Sequence, residues 1–382
     1  MVGAGIAGLT TALCLARRGI ASTLVERSPV LKEAGAGLQL SPNALRVLDR
    51  LGLLPHLSER AVTARSVTLC DGRTGRTLAR VPVAAADGTP YLSLHRADLQ
   101  AVLLEAVEAD PLVTLRLGCA LAGIDDGADI MTAHFEGPDE RVASAGFTLL
   151  IAADGVNSRV ASIRGLSPPV HSGALAWRAR VVGRPTRELA STAPGIRAWL
   201  GPGMHAVAYP IRAGEEINLV LVEKTISWGA EDAEALRGRF SAFAPELRAL
   251  VSAAGEITAW PILTTPPERP WVLADGRIVL VGDAAHAMLP FAAQGAAMAI
   301  EDGFVLARET DRHGDDPGRV GQAFEQARRS RVRRVEARAR FHRFVYHLPQ
   351  PVALVRNLVM ATTPDERLSR SLSWLYDWVP PK

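Results

Sequence analysis

Cysteine is scarce in this chain: three among 382 residues, Cys14, Cys70 and Cys119, far apart and with no C-x-x-C spacing. Such a set builds neither a disulfide framework nor a zinc site, so a reducing compartment is implied and no metal is expected. Long apolar runs are missing too. No stretch reaches the roughly 18 uncharged apolar residues of a membrane span, and no charged segment leads into an apolar signal core. The expectation is a cytoplasmic protein with no membrane partner. Nor is there a large charge excess: 43 Lys and Arg against 40 Asp and Glu leave +3, too little to draw nucleic acid. Internal repeats and low-complexity linkers are absent as well. Apolar residues, by contrast, make up 48%, enough to core two domains or one large domain carrying an insertion.

The chain opens MVGAGIAGLT, with Gly3, Gly5 and Gly8 in G-x-G-x-x-G spacing. That spacing calls for a buried strand, a tight turn, and a helix whose N-terminus faces a pyrophosphate. Only Met1 and Val2 precede the first glycine, so the motif depends on its surroundings. Residues 9–18 have helical periodicity, Gly19 reads as a stop, and 20–25 (IASTLV) reads as a buried strand. Glu26 ends that strand about twenty residues past the glycines, where a carboxylate accepts hydrogen bonds from an adenosine ribose.

Further along, 41–53 reads as a helix with Ser41 or Asn43 near its N-cap and Gly52 at its end, and 96–108 as a second helix. The run 148–153 (TLLIAA) reads as a central parallel strand ending at Asp154-Gly155, and 277–281 (RIVLV) as another ending at Gly282-Asp283. Between them, 170–223 alternates like an antiparallel sheet with one covered face. The fold class is therefore α/β: a Rossmann-like dinucleotide-binding domain, discontinuous over 1–70, 95–169 and 265–320, with an inserted and mainly antiparallel substrate domain at 71–94 and 170–264. Residues 321–382 form a C-terminal helical segment. Its arginine-rich stretch 322–344 is expected to bury Phe324, Val335 and Phe341 while its arginines stay solvated beside Glu325 and Glu336.

Three motifs in order, GAGIAG with Glu26-Arg27, AADGVNSR at 152–159 and GDAAHAMLPFAAQGAAMAIEDG at 282–303, resemble the flavin-dependent aromatic hydroxylases of the para-hydroxybenzoate hydroxylase fold. The likeness spans nearly the whole chain. PFAAQGAAMAIEDG and GPGMHAVAYPIR look most like the salicylate hydroxylase and 3-hydroxybenzoate 6-hydroxylase branch. Members usually carry several apolar residues before the first glycine, which implies a native start upstream of Met1.

The resemblance implies FAD as cofactor, NADH or NADPH and O2 as co-substrates, and hydroxylation of a small phenolic or hydroxybenzoate-like aromatic through a flavin C4a-hydroperoxide, by a monomer or homodimer. A flavin oxygenase or epoxidase acting on a larger natural product, and a non-catalytic flavin sensor, are the alternatives. Gly3, Gly5, Ala7 and Gly8 would approach the pyrophosphate. Glu26 and Arg27 would lie at the adenosine, Arg96 at the phosphate or ribityl side, and Asp154 and Gly155 at FAD and the docking nicotinamide. Asp283 would meet a ribityl hydroxyl or cap the helix after it. Pro290, Gln294, Gly295 and Ala296 would form the turn and helix N-terminus facing the flavin ring. His205 and Tyr209, four apart in a strand and hence on one face, would take the phenolic proton and hold the substrate. No arginine of the sheet is assigned to a carboxylate. His286 is read as a packing or hydrogen-bonding residue of the flavin motif.

Overall fold

The computed structural model describes every residue except 32–36, 128–129, 138–141, 184–194, 226–231 and 382. Two residues before the first glycine prove enough to join a sheet. Val2 bridges Val25 and Ala152, both in parallel. Val2 N donates to Ile151 O at 2.9 Å, Gly3 N to Val25 O at 2.8 Å, and Ala153 N to Val2 O at 2.8 Å. This short segment links Ser22–Val25, parallel to Val113–Arg116, with Leu150–Ala152, parallel to Ile278–Leu280. Val272–Leu273 adds an antiparallel edge. Strands covered on both faces need apolar side chains throughout, and Ile278, Val279 and Leu280 are fully buried. Helices Ile6–Ala16 and Arg96–Ala109 pack beside the sheet, and Gly295–His313 crosses the first of them.

The second layer is a seven-stranded sheet in the order Thr258–Thr264, Val170–Val182, Glu216–Lys224, Met204–Ile211, Ile196–Gly201, Ser66–Asp71, Thr77–Pro82. All its pairings are antiparallel except that of Ile196–Gly201 with Ser66–Asp71. Alternation divides its side chains. Trp177, Trp199, Ala206, Leu219 and Leu221 pack against the helices Ala233–Arg239 and Pro245–Ala253, while Ala174, Ala176 and Val222 face Leu289, Phe291 and the long helix Pro317–Tyr346. This second face looks toward the third motif.

Two boundaries differ from the sequence reading. Ser66–Asp71, assigned to the first domain by a cut at 70, is hydrogen-bonded into the large sheet, and Leu92–His95, assigned to the second, pairs with Gly37–Leu40 and Val62–Thr63 outside it. Phe324 and Val335 are buried in the long helix as expected, but Phe341 is 53% exposed and Arg328 is only 1% exposed. Helical periodicity identifies a face; it does not say which arginine that face will enclose. Among the described residues no helix is long and apolar enough to cross a membrane, and no cluster of His, Cys, Asp or Glu could hold a metal.

Candidate active site

The three motifs meet at the N-terminal ends of two helices. A Cβ on Gly3, whose φ is +97°, would lie 2.5 Å from Ala153 O, and one on Gly8 would lie 1.9 Å from Gly3 O. Close backbone contact brings the first motif against Asp154, and Gly282 packs against the Ala7 and Ala299 methyl groups, at 3.1 and 3.2 Å from where its Cβ would be. Gly5, the N-cap of Ile6–Ala16, is different: nothing lies within 4 Å of where its Cβ would be, and the same holds at Gly155 and Gly295. These open glycines border space that a dinucleotide can fill from the helix end. Asp154 Oδ2 accepts from the amides of Arg159 at 2.7 Å and Val160 at 3.1 Å, whereas its buried Oδ1 has no partner among the described residues. Burial pushes its carboxyl above the usual value, against those hydrogen bonds. A ligand hydroxyl donating to Oδ1 would satisfy it.

Glu26 Oε2 accepts from Ala4 N at 2.8 Å and its Oε1 from Ser28 N at 2.9 Å, which closes the turn and leaves each oxygen a lone pair for a ribose. Arg27 is exposed, and Arg96 is half-buried at the start of its helix, whose cap is His95 Nδ1 accepting from Ala97 N. Asp283 does not cap the helix after it: Gly282 occupies that position, and Asp283 is the first helical residue, with an exposed side chain. A flavin that enters between the open glycines gives a paired expectation. Gly8→Ala should unfold the motif whether or not FAD is present. Gly5→Ala should leave the melting temperature of the stripped protein unchanged yet weaken FAD by roughly tenfold to a hundredfold, about 1–3 kcal/mol of overpacking. Flavin fluorescence titration with thermal melting checks both, and unchanged affinity in Gly5→Ala would place the cofactor elsewhere.

His205 and Tyr209 share the inward face of Met204–Ile211, opposite Val222 and Asn218. Register brings Arg178 to this face as well, through its pairing with Val220 and that of Val220 with Val207. The His205 ring is 3% exposed, 5.0 Å from Phe291, 5.5 Å from Tyr346 and 5.0 Å from His347. Its Nδ1 shares a 2.8 Å hydrogen bond with His347 Nε2. Burial, and then the neighbouring His347, hold His205 well below the ordinary histidine range, so the imidazole is neutral. Burial likewise raises Tyr209, which keeps its phenol protonated. The Gly37–Leu40 strand roofs this end: a Cβ on Gly37 would lie 2.7 Å from the Tyr209 ring, and Gly37 N donates to Asn218 Oδ1 at 2.7 Å. Asn218 Nδ2 is buried with no partner among the described residues.

Pro290–Ala292 forms a single tight turn, with Ala293 left-handed at φ 52° and its amide donating to Pro290 O. Pro290 is exposed, while Phe291 points back onto His205. The turn delivers the N-terminus of Gly295–His313, with Ala296 half-buried in its first turn. Gln294 does not reach the aromatic face. Its side chain is 1% exposed and bonds below the turn, Nε2 donating to Ser41 Oγ at 2.9 Å and Oε1 accepting from Asn43 Nδ2 at 3.3 Å, so it props the turn from behind. Ser41 is the N-cap of Pro42–Arg50, as read, but its hydroxyl serves this network rather than the helix amides. His286 is buried in the motif, Nε2 lying 2.6 Å from Asp302 Oδ2. His347, Arg178 and Asn218 were not singled out from the sequence. Strand parity could have found the last two; nothing local connects His347 to a strand 142 residues earlier.

A sequence profile described as the FAD binding domain matches residues 1–339. The 3-amino-4-hydroxybenzoate 2-monooxygenase of Streptomyces cremeus is 35% identical over 386 residues, covering 98% of this chain and 94% of that protein. The 3-hydroxybenzoate 6-hydroxylase of Klebsiella oxytoca is 33% identical over 389 residues, covering 99% and 96%. In fold, the chain is similar to Klebsiella pneumoniae HpxO complexed with FAD and uric acid, with a TM-score of 0.84, 24% identity and coverage of 98% and 95%. A salicylate hydroxylase substrate complex gives 0.80, 21%, and 99% and 94%. Motif order, open glycines and these relatives agree on one cofactor, and the chain belongs to the FAD binding domain family, among the FAD-dependent aromatic monooxygenases.

Proposed function

We propose that this enzyme hydroxylates a small phenol carrying a carboxylate, a hydroxybenzoate, at the expense of NADH or NADPH. The observation that carries this reading is the neutral, buried His205 on one sheet face with Tyr209, against the turn that leads to the Gly295 helix N-terminus. When bound, FAD supplies the activation of O2. The protein's own part is preparation of the ring. His205 takes the phenolic proton at Nε2, because Nδ1 is held by His347. A phenolate has higher ring electron density ortho and para to oxygen, which is what an electrophilic oxygen requires. Tyr209 donates its hydroxyl to the substrate's polar group. Amides of the Gly295 helix N-terminus stabilise negative charge developing near the turn, and the Gly37–Leu40 roof excludes water.

The test is a panel of 3-hydroxybenzoate, 3-amino-4-hydroxybenzoate, salicylate and phenol, following nicotinamide oxidation together with hydroxylated product. At least one acid should give product in step with nicotinamide consumed. Nicotinamide oxidation without product from any member would overturn the reading.

Arg178 is the cation proposed for the carboxylate. Its guanidinium carbon lies 5.9 Å from the Trp260 ring, and its charge acts on Tyr209 by lowering that phenol's pKa against the effect of burial. Arg178→Met should raise KM for the preferred acid by roughly tenfold to a hundredfold, the 1.5–3 kcal/mol of a hydrogen bond to a charged group, and leave phenol unaffected. Equal losses for acid and phenol would assign Arg178 to the fold instead.

A further inference from the structure

A cavity of about 770 Å³, with His347 in its wall, opens between the long helix and residues 287–289. Lys224, Thr264, Met288, Glu336, Arg340 and His347 are among its lining residues. His347 is the C-cap of Pro317–Tyr346, where its carbonyl accepts from Gly203 N at 3.2 Å, in the turn just ahead of the His205 strand. One ring therefore touches both the buried histidine and the cavity. We propose that His347 is a relay residue that passes the substrate's phenolic proton from His205 to water in this cavity. The inference rests on the reading of His205 as the group that takes that proton.

The balance is simple. The phenolic O–H bond breaks as a bond forms to His205 Nε2; the Nδ1–H bond of His205 breaks as one forms to His347 Nε2; and the Nδ1 proton of His347 leaves to a cavity water. No electrons are transferred, and the reverse sequence returns a proton to the product's phenolate, restoring both tautomers.

The surroundings favour passage over storage. His205 is enclosed by Phe291, Tyr346 and His347, with no carboxylate among these neighbours to hold an imidazolium. His347 faces the cations Arg343 from its own helix, Arg356 from Val352–Thr362 and Lys224 from the sheet, and burial followed by these charges holds it at about 4. His342 stacks on Tyr346 and its Nδ1 lies 3.0 Å from Phe291 O, so it supports the turn and stands outside the chain of transfer. Glu336 and Arg340 join Lys224 and Arg343 as the charged groups lining the cavity. A proton placed on either of the two paired rings is unstable there, and water is its outlet.

The experiment uses FAD-loaded oxidised enzyme and 5-hydroxy-2-nitrobenzoate, a coloured analogue of 3-hydroxybenzoate, and follows phenolate appearance after a pH jump in stopped flow. His347→Ala should slow it at least tenfold with probe affinity, FAD content and melting temperature little changed. Added imidazole should restore the rate through the open cavity, which a structural defect would not permit. His347→Gln keeps an acceptor for His205 Nδ1 but cannot pass a proton, and should be as slow as His347→Ala. A wild-type rate in His347→Ala, or full recovery in His347→Gln, overturns the relay. His205→Ala separates the two claims: if it too shows the wild-type rate, the reading of His205 fails; if it is slow while His347→Ala is not, only the relay fails.

Discussion

His205→Ala is expected to stay yellow, to be reduced by NADH or NADPH at near wild-type rate, and to lose hydroxylation by roughly 10²- to 10⁴-fold, the usual share of a general base. The separation of steps follows from distance along the fold. The open glycines, Asp154 and Asp283 belong to the first sheet and its helices, while His205 lies on the inserted sheet and touches Phe291, Tyr346 and His347. Removing its ring leaves the glycines and carboxylates of the cofactor cradle untouched, takes away one contact on Phe291 of the turn, and leaves the substrate a neutral phenol. Reducing equivalents should then leave as hydrogen peroxide, because an unactivated ring competes poorly for oxygen. Peroxide yield and product measured in the same single-turnover experiment decide the matter. Wild-type hydroxylation with unchanged peroxide would make His205 a structural histidine, and slow flavin reduction would assign it to nicotinamide access.

The two halves of the site differ in how far they could be read from sequence, for a physical reason. Backbone demands leave local traces. Gly3 and Gly8 are needed because two peptide planes approach too closely for a Cβ, and that need shows as spacing within six residues. Strand parity is local too, so His205 and Tyr209 were found together. The short strand before Gly3 could not be judged locally, since Val2 works only by bridging Val25 and Ala152. His347 and Arg328 left no trace either. Each acquires its role from partners on other elements, His205 for one and Glu301 with Asp302 for the other, and an arginine-rich helix gives no sign of which guanidinium will be enclosed. Asp283 and Gln294 show the converse. The motif names both, but the helix begins one residue too early for Asp283 to cap it, and the Gln294 side chain turns toward Ser41 and Asn43.

Arg328→Met should cost about 3–5 kcal/mol of stability, the loss typical of a buried ion pair deprived of one partner. Arg328 lies 2.5 Å from Glu301 Oε2 and 2.8 Å from Asp302 Oδ1, with both carboxylates fully buried. Glu301 also binds Arg331 through two contacts of 2.7 Å and accepts from Asn43 Nδ2 at 2.7 Å; Asp302 holds His286 at 2.6 Å and accepts from Gly282 N at 2.9 Å. The network thus ties the long helix to the third flavin motif. Burial raises the Asp302 carboxyl, but His286 and Arg328 outweigh it and hold it at about 2, below the ordinary 3.8. A depressed folded pKa means that Asp302 contributes stability above 3.8 and that this contribution is lost as pH falls toward about 2. Without Arg328 the carboxyl should titrate higher, and acid unfolding should begin at higher pH. Methionine keeps the apolar stem and removes the charge, so the loss is electrostatic rather than a packing cavity. The double variant Arg328→Met with Asp302→Asn should be more stable than the sum of the single losses, since asparagine still accepts from Gly282 N while relieving the stranded charge. Urea denaturation of all three variants, with and without FAD, measures the coupling. A single variant within about 1 kcal/mol of wild type, or strictly additive losses, would mean that the pair gains nothing from its burial, at the upper limit of what a surface ion pair contributes.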